Sequence, residues 1–102
     1  MSPRALARSY GVAIRFVDLG SWGSVELCSE YDPAGPEIRI NRRIVERLRG
    51  HALREFVVTA IGHELYHHRE QIGEVAKIIG RAARESAADR FARALARNVH
   101  PR

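Results

Sequence analysis

The stretch Ala52 to Gln71, ALREFVVTAIGHELYHHREQ, decides how the rest of the chain must be arranged. Leu53, Phe56, Val57, Ala60 and Ile61 recur at the helical period, and Val58 and Leu65 widen the apolar surface. This pattern predicts one long helix, apolar over so much of its circumference that it belongs in a core. Near its end stands His63-Glu64-Leu65-Tyr66-His67. At about 100° per residue, the two histidines differ by only about 40° around the axis, roughly one turn apart. Two imidazoles can then reach one metal ion. Glu64 projects about 60° from His67 on the same flank, and Leu65 points to the far side, into the core. His68, about 100° from His67, is expected on a flank or in a cleft.

H-E-x-x-H on a helix is the pattern in which two histidines hold zinc and the glutamate acts as general base. From five His and nine Glu in 102 residues, chance yields it about once in fifty shuffled chains, so the motif needs a second observation beside it. Zinc in a hydrolase takes three protein ligands and keeps a fourth position for water. Eighteen positions beyond His67 stands Glu85, within Glu85-Ser-Ala-Ala-Asp89. The intervening segment is long enough to turn at Ile72-Gly73 and bring a second helix back across the first. There Glu85 and Asp89 share a face. Glu85 can ligate zinc, and Asp89 can accept the free ring N–H of a ligand histidine.

Working outward, Pro3 to Tyr10 reads as a short helix ended by Gly11. Val12 to Asp18 alternates as a strand, with Val12, Ile14 and Phe16 on one face. Gly20 to Ser24 reads as a turn, Val25 to Tyr31 as a second strand, and Asp32-Pro-Ala-Gly-Pro36 as another turn. Glu37 to Asn41 is a third strand, after which Asn41 caps a helix that Gly50 stops at Arg49. A last helical pattern runs from Glu74 to Arg97, with a possible interruption at Gly80, and Asn98 to Arg102 reads as a frayed tail. Helix, three strands, then three or four helices make a single α+β domain over residues 1–102.

Composition narrows the function. No apolar run approaches the ~20 residues of a membrane span, and Met1 to Ser9 lacks the apolar stretch of a secretory signal. A cytoplasmic protein is expected. The single cysteine, Cys28, excludes an internal disulfide and, in a strand-like stretch, is expected to be a buried thiol. The net charge is +5, and sixteen of the seventeen basic residues are Arg. They are scattered, many at helical spacing beside Glu, as on a solvated face. Without a helix-turn-helix pattern or a basic stretch with interleaved aromatics, direct nucleic-acid binding is not expected. His51 and His100 are expected at the surface, and Trp22 and Tyr31 in the core or along a cleft. Ser9 and Ser86 have no His and Asp partners for a serine triad.

The assembled residues resemble the zincin metallopeptidases that use Glu as third ligand, and most closely the ImmA/IrrE family. The resemblance rests on Gly11-Val-Ala-Ile-Arg-Phe16, Pro36-Glu-Ile-Arg-Ile-Asn41 before a helix, Phe56-Val-Val-Thr59 before the His63 motif, and Glu85-Ser-Ala-Ala-Asp-Arg-Phe-Ala92. It implies a minimal zincin-like fold, with a small three-stranded sheet packed on the active-site helix. It implies His63, His67 and Glu85 as Zn2+ ligands and Glu64 as catalytic acid/base. It also implies an edge strand that takes up an extended peptide, and a protein substrate such as a DNA-binding repressor. The expected activity is zinc-dependent peptide hydrolysis, with Tyr66, His68 or an Arg as candidate second oxyanion donor. The alternatives are a catalytically inactive zinc-binding regulatory or interaction domain, and a nucleic-acid binder that happens to hold zinc.

Overall fold

In the computed structural model, which describes residues 2–22 and 25–99, the chain is a mixed α+β protein. Helix α1 (Pro3–Ser9) begins where Ser2 Oγ accepts a hydrogen bond from the Ala5 amide at 3.1 Å and ends at Gly11, whose φ is +72°. Strand β1 (Ala13–Val17) runs parallel to β5 (Glu37–Asn41), and β4 (Ser29–Asp32) runs antiparallel to β5 on its other side. The order is thus β1-β5-β4, with β5 central and Ile14 beside Ile38.

The period of two along β5 separates two environments. Ile38 and Ile40 are fully buried, with Ala7, Val12, Ala60, Ile61 and Leu65 around them. Arg39 points the other way and gathers Glu37, Asp32 and Glu30 at 2.5, 2.5 and 3.2 Å. One sheet face is therefore core and the other a solvated ion-pair network.

Two helices dominate the remainder, α3 (Gly50–Gln71) and α4 (Arg81–Val99). Gly62 permits their close approach, since a Cβ there would stand 2.8 Å from Ala92 Cα. Ala88, Ala92 and Ala96 make the facing side of α4 small and buried. A second apolar cluster joins Tyr66 of α3 to Ala87 and Ala88 of α4, flanked by Val75, Ile78 and Phe91.

Several expectations are corrected. The strand foreseen over Val25 to Tyr31 is broken at Leu27 and Cys28. Its first part is β3 (Val25–Glu26), which pairs with β2 (Ser21–Trp22) in a separate two-stranded ribbon; only the rest is β4. The cause is Asn41. Fully buried, it donates to the Leu27 and Gly20 carbonyls at 2.8 and 3.3 Å and accepts from the Leu19 and Arg43 amides at 3.2 and 3.1 Å. Its backbone amide donates to the Cys28 carbonyl at 2.9 Å. Cys28 is exposed, not buried. The helix capped by Asn41 is only α2 (Arg42–Val45), and Gly50, at φ +55°, opens α3 instead of stopping α2. Residues 72–80 are not helical, and Gly73 and Gly80, at φ +79° and +100°, bound that connection. Helix α4 continues through Asn98 to Val99; the expected turn at Gly23 and Ser24, the side chain of Trp22, His100 and the tail from His100 onward lie outside what is described. No helix among the described residues is long and apolar enough to cross a membrane.

Candidate metal centre

The close contact of α3 with α4 carries three side chains to one point. His63 Nε2 and His67 Nε2 lie 3.3 Å apart, and each is 3.1 Å from Glu85 Oε2. Donor atoms arranged tetrahedrally about zinc at ~2.0–2.1 Å stand roughly 3.3 Å from one another, so the triangle has the size such an ion requires. His63, His67 and Glu85 are a group that can hold a metal ion.

The other ring nitrogens decide what this triangle offers. His63 Nδ1 meets Asp89 Oδ1 at 2.8 Å, and His67 Nδ1 meets Glu70 Oε1 at 3.1 Å. An ionised carboxylate can only accept, so in this arrangement each Nδ1 is the donor, and a neutral imidazole then turns its Nε2 lone pair toward the triangle. Glu70 is kept ionised by Arg84, whose Nη2 and Nε donate to its two oxygens at 3.0 and 3.2 Å. That guanidinium, foremost by its hydrogen bonds, holds the Glu70 carboxyl below the usual carboxylate range despite burial. With both imidazoles neutral, two lone pairs and a carboxylate converge on one point. A cation satisfies all three at once.

Glu64 lies beside the cluster, 5% exposed, and Ser29 Oγ donates to its Oε2 at 2.6 Å. Burial raises its carboxyl above the ordinary value; the Ser29 hydrogen bond and the two histidines oppose the rise. One helical turn further along, Tyr31 Oη and His68 Nδ1 share a hydrogen bond at 2.7 Å. Burial raises the pKa of the Tyr31 hydroxyl and lowers that of the His68 imidazole, so both favour their neutral forms. Ser29 and Tyr31 are two apart on β4, about 6.8 Å, while Glu64 and His68 are four apart on α3, about 6 Å. The near match lets β4 be stapled along α3 at two points.

A cleft of about 930 Å³ opens over the cluster. Leu27 to Tyr31 form one wall, and Ala52, Phe56, Thr59 and Ala60 of α3 line its floor together with His63, Glu64 and His67. Tyr31 thus belongs to the cleft wall as well as to the staple, and His51 also reaches the cleft. Neither Tyr66 nor His68 lines it. Tyr66 packs on Phe91 at 6.0 Å between ring centroids, and His68 is buried edge-on to Tyr10 at 5.4 Å. Arg84 does line the cleft, but it is engaged by Glu70. Ser9 Oγ donates to the Leu6 carbonyl at 2.7 Å.

Sequence reasoning missed Glu70, Arg84 and Ser29. Glu70 was within reach of it, since the i,i+3 rule puts Glu70 beside His67. Ser29 was not, because its role depends on where the sheet docks. Comparison with protein-family models, with curated proteins and with solved structures finds no match.

Proposed function

We propose that this chain is a cytoplasmic zinc-dependent metallopeptidase of minimal zincin-like fold, related to the ImmA/IrrE family, with Zn2+ held by His63, His67 and Glu85. The observation that carries the reading is the convergence of His63 Nε2, His67 Nε2 and Glu85 Oε2 with Glu64 beside them. When bound, zinc supplies an acidified water, with a pKa near ~7, and polarises the scissile carbonyl. Glu64 is the general base: it takes the water's proton and returns it to the leaving amine. Its Oε2 is occupied by Ser29, which leaves Oε1 for that proton. Its buried, raised carboxyl suits a group that must both accept and release. Asp89 and Glu70 orient the two ligand imidazoles. Strand β4, paired on one side with β5, is an edge strand on the cleft wall, and its free side can take an extended peptide by strand addition. The substrate class in this reading is a regulatory protein such as a DNA-binding repressor.

A second reading, a zinc-binding regulatory or interaction domain without hydrolysis, is favoured by one observation. Tyr66 and His68 lie away from the cleft, and Arg84 is engaged by Glu70, so no side chain foreseen as second oxyanion donor is free to act. Glu64→Gln separates the two readings. It should retain zinc while peptide hydrolysis falls by about two to four orders of magnitude. Hydrolysis at the wild-type rate by the zinc-loaded variant would remove Glu64 from the mechanism, and none by the wild-type protein would favour the second reading.

A further inference from the structure

Helix α3 is apolar along most of its length, and the described chain covers its apolar surface unevenly. The sheet and α1 cover the side of Ala60, Ile61 and Leu65, and α4 covers the side of Gly62 and Tyr66. Toward the start of α3 the first of these sides continues through Leu53, Val57 and Val58, and Val57 still touches the first core cluster. There, with Ile61, this side forms the floor of an open groove of about 430 Å³. Phe16 of β1, 38% exposed, and Val45 of α2 form its walls. Apolar surface of this kind, gathered in one concavity, marks a docking site more often than scattered exposed residues do.

Charge indicates the occupant. The only charged residues lining the groove are Arg4 and Arg54, both exposed, and no carboxylate lines it. Neither arginine has an ion pair or side-chain hydrogen bond among the described residues. The metal cleft differs sharply: Glu30, Glu55, Glu64, Glu85 and Asp89 all line it. A second copy seated groove to groove would crowd two arginines from each molecule into a contact that offers no acid. A flat bilayer would not fill a concavity. We propose that the groove docks an acidic amphipathic segment of another protein. Its bulky apolar side chains would sit on Phe16, Leu53, Val57 and Val58, and its Asp or Glu residues would pair with Arg4 and Arg54. This holds whether or not the metal centre hydrolyses peptides.

Random-peptide display against the zinc-loaded full chain tests it. Enriched peptides should combine bulky apolar residues with Asp or Glu and should bind Val58→Asp about tenfold more weakly or worse. The doubly reversed protein, Arg4→Glu with Arg54→Glu, changes only exposed positions and should select Lys- and Arg-bearing peptides instead. Unchanged melting temperature and zinc content certify that each variant is folded. Four results would overturn the proposal: no acidic enrichment; binders indifferent to both variants; self-association abolished by Val58→Asp; or phosphatidylserine-vesicle binding abolished by the double reversal, with no peptide dependence.

Discussion

One side of α3 presents Ile61 and Leu65 to the sheet at 1% and 0% exposure; another presents His63 and His67 to a cleft, with side chains 20% and 17% exposed. The first side is satisfied by contact alone. Its neighbours, Ile38, Ile40, Ala7 and Val12, fill the space around it whatever is dissolved in the cleft. The second is held by polar contacts instead. Its outer nitrogens are anchored by Asp89 and Glu70, and its inner ones face each other and Glu85 across 3.3 and 3.1 Å. One helix therefore carries a side that holds the fold and a side that can hold a cation. Stability should depend on residues of the first side with or without metal, and on those of the second only when metal is present.

The largest expected effect lies on the apolar side. Leu65→Ala should cost about 2–5 kcal/mol of folding stability. The cost should be equal in zinc and in chelator, read from denaturant midpoints under both conditions. A cost that appeared only in chelator would mean that the metal, not the core, holds this end of α3. A smaller effect is expected at the imidazole anchors. Asp89→Asn should weaken zinc about 10–100-fold, measured by competition with a chromophoric chelator, and leave the metal-free midpoint unmoved. If the metal-free protein were destabilised as much as the loaded one, Asp89 would belong to the fold rather than to the site. The smallest effect belongs to Ser29→Ala. It should leave zinc affinity unchanged and slow the proposed hydrolysis by about tenfold or less, since one hydrogen bond to Glu64 is lost. A lowered turnover with unchanged KM, largely restored in Ser29→Thr, would identify Ser29 as a positioning residue for the base.

How much of this was legible in the sequence follows from which residues act through spacing along one element. The period of 3.6 was enough to foresee α3 and to place His63, His67 and Glu64 on one flank, and the same rule paired Glu85 with Asp89. Alternation was enough for β5, whose bounds agree with the strand read from Glu37 to Asn41. What escaped depends on contacts between elements. Asn41 reads as a helix cap, and it is one, but its amide nitrogen also binds Leu27 and Gly20 and so ends a strand that alternation would have continued. Gly50 reads as a stop signal, whereas in the fold it starts the longest helix. The bond from Arg84 to Glu70 spans the 72–80 connection, and that from Ser29 to Glu64 joins a strand to a helix thirty-five residues on. No local period encodes either.

The central claim is that three side chains on two helices offer one cation site. Metal analysis of the purified chain, paired with zinc titration of wild type and Glu85→Ala, tests it most directly. The expected result is about one zinc per wild-type chain, and in the variant loss of most of that affinity and of the zinc-dependent gain in melting temperature. Zinc bound equally tightly after Glu85→Ala, or a wild-type chain whose melting is indifferent to saturating zinc, would contradict it.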